Sequence, residues 1–171
     1  VKNKSPITVI VGNPPYSVSS KNVNSWITNL LKDYKSGLEE KKINLDDDYI
    51  KFLRLSHFTV QNTNTGIIGL ITNHSYLDGP THRIIREKLL SSFNKIFIHD
   101  LHGNTYKKEK TPSGDVDQNV FDIKQGVAIS IYVKKNSRTE EPTCVYFGES
   151  FGLREEKYIK LETMDIEESN W

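Results

Sequence analysis

The sequence is poor in the residues that build covalently or metal-braced scaffolds. It has one cysteine, Cys144, in 171 residues, so no disulfide can close within the chain, and no Cys/His spacing resembles a zinc site. A lone cysteine fits a reducing compartment. No charged-then-apolar leader is present, and no apolar stretch is long enough to span a bilayer, which points to a cytoplasmic protein with no membrane partner. Neither sign of charge is in excess: 23 Lys and Arg face 22 Asp and Glu, a net charge of +1. The chain as a whole therefore has no general attraction for nucleic acid. The run Lys107-Lys108-Glu109-Lys110 is a candidate basic patch, although its charge pattern fits a solvated loop better. The single methionine is Met164 and the chain opens at Val1, so it reads as a piece of a longer polypeptide. Internal repeats and low-complexity stretches are absent. No Gly-x-Ser-x-Gly elbow accompanies His74 and Ser75, which argues against a hydrolase. No metal is expected, because His99 and His102 are spaced to leave a strand on opposite faces.

What the chain does contain is an ordered alternation of apolar runs. Ile7 to Val11 is continuous and apolar, as for a strand of a parallel sheet covered on both faces. Trp26, Ile27, Leu30, Leu31 and Tyr34 recur at helical spacing, and Gly37 suits the helix end. Residues 38–45 read as a charged loop. Asp46-Asp47-Asp48 favours the start of a second helix running to about Val60, with Tyr49, Phe52, Leu53, Ser56 and Val60 on its buried face. Gly66 to Thr72 is a second strand, Pro80 opens a third helix with Ile84, Ile85, Leu89 and Leu90, and Lys95 to Leu101 is a third strand. Strand, helix, strand, helix, strand predicts an α/β sheet with crossover helices. The polar stretch from His102 to Gln118 is long enough to expect a functional or mobile loop. Val127, Ile129, Ile131 and Val133 alternate along a further strand, with Thr143 to Phe147 expected as its antiparallel hairpin partner. Leu153 to Leu161 predicts a short charged helix, and residues 165–171 are expected to fray.

The most informative segment is Asn13-Pro14-Pro15-Tyr16, set directly after the first strand. Ligand sites of such sheets lie beyond the carboxyl ends of strands. The two prolines fix φ, donate no N–H and stiffen the residue before them. Such a corner can present two fixed acceptors, the Asn13 side-chain oxygen and the Pro14 carbonyl, to the two N–H bonds of one amino group. An adenine amino nitrogen is a poor nucleophile because its lone pair is delocalised, so holding and aiming it is what a catalyst must do. Tyr16 adds a flat face against which a base can stack. As simple loop punctuation the same string would mean only a turn.

Four stretches together carry a resemblance: Asn13-Pro14-Pro15-Tyr16, then Asp48-Tyr49-Ile50-Lys51-Phe52, then Gly66-Ile67-Ile68-Gly69-Leu70-Ile71-Thr72-Asn73, and last Asn119-Val120-Phe121-Asp122-Ile123 leading into Gly126-Val127-Ala128-Ile129. Leu101-His102-Gly103-Asn104 supports them. In this order they resemble the catalytic half of N6-adenine DNA methyltransferases, chiefly the module found in single-polypeptide Type ISP and Type IIG restriction-modification enzymes, over residues 7–161.

The resemblance implies a partial Rossmann-like methyltransferase sheet, with the catalytic half in residues 1–147 and a charged helical tail in 148–171. It also implies that Asn13 and Pro14 grip the amino group and Tyr16 stacks on a flipped adenine. Pro15 and Phe121 would bind the base, and Asp48 to Phe52 would border the pockets. S-adenosylmethionine would be the cofactor and double-stranded DNA the partner, with linked nuclease or helicase and target-recognition domains. The sequence departs from the family in having no Gly-x-Gly turn and no acidic strand end before Asn13. Cofactor-binding residues therefore stay unassigned, the piece alone is expected not to methylate, and its first strand should present an open edge. An RNA or protein-glutamine N-methyltransferase is an alternative, although the glutamine enzymes lack an excursion like Ser17 to Leu45. A non-catalytic module binding DNA or another partner is a second alternative.

Overall fold

The computed structural model describes residues 6–16, 20–40, 45–136 and 142–165. Its strands are β1 (Val9–Gly12), β2 (Gly66–Asn73), β3 (Lys95–His102), β4 (Val127–Lys134) and β5 (Cys144–Glu149). They form one sheet in the order β1-β2-β4-β3-β5. The helices are α1 (Ser25–Lys35), α2 (Asp48–Gln61), the single turn α3 (Ser75–Asp78), α4 (Arg83–Ser92) and α5 (Arg154–Thr163), with a 3-10 turn at Pro80–His82 before α4. None of the helices is long and apolar enough to cross a membrane. The expected fraying of residues 165–171 falls, from 166 onward, outside the described residues.

The α/β class and the crossover helices agree with the sequence reading, but the C-terminal hairpin does not form. β4 inserts antiparallel between β2 and β3, and β5 adds parallel to the far side of β3. With both edges of β4 already paired, the free edge of β3 is the place left for β5. Spacing along the chain reveals the two strands but not which edges are taken.

One face of the sheet is well covered. The register aligns Ile10, Ile68, Tyr132, Ile96 and Val145 in one row across all five strands. Beneath most of that row, Leu31 and Tyr34 of α1, Ile50 and Leu53 of α2, and Ile85 and Leu89 of α4 form the main core with Ile68, Ile96 and Tyr132. Asn24 caps α1 by accepting the Ile27 N–H at 2.9 Å, which satisfies one of the N–H groups a helix start leaves unpaired. Gly37, at φ +74°, takes the left-handed conformation that ends the helix with little strain.

The opposite face is covered only in part. There Leu101, Val120 and Val127 form a smaller core with Tyr16, Phe121 and Leu161 packed against it. Toward β1 the cover ends: Val9 is 59% and Val11 81% exposed. The expectation of a first strand covered on both faces is thus corrected. Its apolar residues are continuous because one set faces α2 while the other lies bare on an edge strand. The open edge itself agrees with the sequence reading, since among the described residues β1 pairs with β2 alone.

Candidate functional site

β1 ends at Gly12, and the chain turns at once through Asn13 to Tyr16 at the carboxyl rim of the sheet. Asn13 and Pro15 are exposed, Pro14 is buried and Tyr16 is half-buried. Among the described residues, neither the Asn13 side chain nor the Pro14 carbonyl is engaged in a hydrogen bond. Asn13, Pro14 and Pro15 line a groove of about 490 Å³ whose other wall is α2, through Phe52, Leu55 and Thr59. Phe52 was expected in the core, yet it is 42% exposed and faces this groove. The signal was present in the helical stripe of Phe52, Leu55, Ser56 and Thr59, one turn apart, but an aromatic at that spacing reads as core until the facing strand is known to be an edge. A second hollow of about 310 Å³ adjoins the start of α2, between Asn22, Trp26, Asp48 and Lys51. There Asn22 donates to the buried Asp48 carboxylate at 3.1 Å, and Lys51 donates to the Asn22 carbonyl at 2.9 Å. These bonds tie the segment after Tyr16 to α2.

The residues that line the main groove do not by themselves fit a nucleoside-sulfonium donor. No carboxylate is among them, so nothing there would hold a ribose diol, and no glycine-rich phosphate-type turn opens a helix beside it.

Tyr16 turns toward the other face of the sheet, where its ring meets Phe121 with centroids 6.1 Å apart and planes tilted by 57°. The two aromatics assigned to one base from distant parts of the sequence are therefore neighbours. Burial pushes the Tyr16 phenol up to about 12, so it stays protonated, and its hydroxyl is buried with no hydrogen-bond partner among the described residues. Phe121 is set by its own loop. The Asn119 side-chain oxygen accepts the Phe121 N–H at 2.8 Å, while its amide donates to the carbonyls of Gly103 at 3.0 Å and Gln125 at 2.6 Å. Gly103 has φ +78°, and a Cβ there would lie 2.4 Å from the Asn119 Cα, so only glycine allows this contact.

The loop from His102 to Gln118, expected to be functional or mobile, is pinned from beneath. Lys157 of α5 and Asp117 form an ion pair at 2.9 Å with both side chains fully buried. Further along the rim, Asp100 accepts from His74 Nδ1 at 3.0 Å and from the His102 N–H at 2.9 Å. Burial raises the Asp100 carboxyl, but these bonds and the charge of the two histidines outweigh it and the net direction is down. His99, the histidine weighed with His102 from sequence, bonds instead to Ser150 at 2.8 Å.

Comparison with known proteins then decides the family. The model of the Eco57I restriction-modification methylase family matches residues 2–106. The chain belongs to this family. No curated protein matches it. Among solved structures it resembles that of the DrdV–DNA complex, with 26% identity and a TM-score of 0.83, over 98% of this chain and 17% of that one. It also resembles the ATP-dependent Type ISP restriction-modification enzyme LlaBIII bound to DNA, with 30% identity and a TM-score of 0.79, over 94% of this chain and 12% of that one. A nuclease-deletion mutant of the Type ISP enzyme LlaGI, in complex with a DNA substrate mimic, shares the fold at 23% identity and a TM-score of 0.75, over 94% of this chain and 14% of that one. The chain thus spans less than a fifth of the length of each.

Proposed function

We propose that this chain is the amino-group-gripping part of a DNA adenine-N6 methyltransferase of a restriction-modification system. The observation that carries the reading is the free corner at the end of β1: an exposed Asn13 with no hydrogen bond among the described residues, held rigid by two prolines at a sheet rim. Family membership supports methyl transfer, and DNA in the complexes of DrdV and LlaBIII favours DNA over RNA or a glutamine side chain.

In this reading Asn13 and Pro14 accept the two N–H bonds of an adenine swung out of the duplex. As the nitrogen attacks a methyl group it gains positive charge, so both acceptors bind the transition state more tightly than the ground state. Tyr16 and Phe121 supply apolar rings for the extruded base, and Pro15 stiffens the turn between grip and ring. The proton leaves to water once the nitrogen is cationic, so no general base is required. S-adenosylmethionine is the methyl donor this chemistry calls for, with its diol-binding carboxylate supplied by residues other than those lining the groove.

The test is transfer of labelled methyl groups by the complete enzyme to an adenine-bearing duplex, with an RNA strand and a glutamine peptide as competing acceptors. Asn13→Ala is expected to lower turnover by about 10²-fold, the scale of losing one preorganised transition-state contact, while duplex affinity changes little. Near-normal turnover in that variant, or preference for the peptide, would overturn the assignment.

A further inference from the structure

The cluster at the carboxyl ends of β2 and β3 has a feature that the methyl-transfer reading does not use. The donor atoms of His74, Asp100 and His102 all lie within 4.8 Å of one another, and Glu109 reaches in from the loop that follows. The hydrogen bonds assign which of these atoms keep a free lone pair. The Lys107 N–H donates to Asn104 Oδ1 at 3.1 Å, which turns the Asn104 amide group toward His74 Nε2 at 3.2 Å. His74 Nε2 therefore accepts, and its Nδ1–H donates to Asp100, at 3.0 Å to Oδ1 and 3.2 Å to Oδ2. Glu109 Oε2 accepts the Asn104 N–H at 2.7 Å. His102 donates through Nε2 to Glu149 at 3.1 Å, which leaves the lone pair on Nδ1.

After these bonds are made, three acceptors face one another. His102 Nδ1 lies 3.7 Å from Asp100 Oδ2 and 4.0 Å from Glu109 Oε1. The three side chains are only 14%, 10% and 19% exposed. A proton on Nδ1 would be shared poorly at those distances, because N–H···O bonds need about 2.7–3.2 Å. A metal ion would be shared well. Zinc-type bonds of about 2.0–2.2 Å place tetrahedral ligands about 3.4 Å apart, a few tenths of an ångström inside the separations found here. We propose that Asp100, His102 and Glu109 bind a divalent transition-metal ion of zinc type.

The surroundings fit that role. A metal-bound histidine usually gives its other N–H to a carboxylate, and ligating carboxylates are themselves hydrogen-bonded. Glu149 does the first for His102, and His74 and Asn104 do the second for Asp100 and Glu109. His102 adopts φ +52°, a left-handed conformation uncommon for a residue with a side chain. Its ring is fixed by stacking on Phe151 at 3.9 Å and 16°. Mixed imidazole and carboxylate ligands suit zinc or cobalt, and three protein ligands leave a fourth position open. Such an ion would fasten the end of β3 to the loop that carries Phe121. The inference stands independently of the methyl-transfer reading.

The test is titration of the chelator-stripped chain with Co²⁺ and with Zn²⁺. The expected result is uptake of one equivalent with the visible absorption of four-coordinate cobalt, and a rise of Tm with Zn²⁺. His102→Gln and Glu109→Gln should each weaken uptake at least tenfold. Cys144→Ser, which removes the exposed thiol, should leave it unchanged. Folding of each variant is checked by circular dichroism, and if His102→Gln does not fold, Glu109→Gln decides. No stoichiometric uptake, uptake indifferent to the ligand substitutions, or uptake lost with Cys144 would overturn the proposal.

Discussion

At the scale of single residues, the contrast between ring and hydroxyl in Tyr16 can be tested. Its hydroxyl is buried without a partner among the described residues, and such a group costs about 1–3 kcal/mol. Tyr16→Phe is therefore expected to leave stability unchanged or raise it by about 1 kcal/mol in urea unfolding, and to keep methyl transfer. Tyr16→Ala should lose most of the transfer rate. Equal losses in both variants would mean that the hydroxyl, not the face, matters. This residue and Asn13 were legible in sequence because two prolines and a preceding apolar run mark the corner locally. Phe121 and Phe52 were legible only as aromatics, since whether each packs in the core or faces a groove depends on strands far away in the chain. A second prediction concerns His57, whose imidazole is pushed down to about 4 by burial, with the nearby Arg54 charge adding to it. Its folded value lies below the ordinary value of 6.5, so the neutral form is favoured in the fold. The resulting stability is complete above pH 6.5 and is lost as pH falls toward 4. At about 1.4 kcal/mol per pKa unit the loss from this group approaches about 3 kcal/mol. His57→Gln should flatten the acid limb of a stability-against-pH curve measured by denaturant titration.

At the scale of elements, helix α5 acts as a buckle across the rim. The Lys157 ammonium has three protons and meets three acceptors: Leu101 O at 2.7 Å, Gln118 O at 2.6 Å and Asp117 Oδ1 at 2.9 Å. The Asp117 carboxylate also accepts the N–H groups of Gly103 at 2.7 Å and Gly152 at 2.8 Å. One ion pair thus holds the end of β3, the loop after it and the start of α5. Breaking a buried pair on one side leaves an uncompensated charge, which costs about 3–5 kcal/mol. Lys157→Met is expected to destabilise by that amount and to speed amide exchange across residues 102–126, whereas Lys157→Met with Asp117→Asn should recover part of the loss. A double variant no better than the single one would show that the carbonyl contacts dominate. The sequence marks α5 as charged and the loop as long, and both readings are correct as far as they go. Which lysine is inside could not be read, because Lys157 and its acceptors are brought together only by the β3–β5 pairing.

At the scale of the whole molecule, the sheet is covered by helices on one side and left partly bare on the other. The order of strands and helices was legible because period and punctuation are local properties. The insertion of β4 and the outward placement of β5 were not, because pairing is decided by which edges remain free. The same geometry has a consequence for solution behaviour. With a net charge of +1, long-range repulsion between copies is slight. An exposed edge strand carrying Val9 and Val11, beside Ile67 at 43% exposure, offers both unpaired backbone groups and apolar side chains to a neighbour. The chain alone is therefore expected to self-associate with rising concentration. Val11→Lys puts a charge on that edge at a position 81% exposed, where substitution changes stability by no more than about 0.5 kcal/mol. Sedimentation velocity should show the variant monomeric at concentrations where the parent associates, with the same unfolding midpoint. Unchanged association in Val11→Lys would shift the cause away from β1 and toward the apolar row of β5, where Val145 and Phe147 are each 49% exposed.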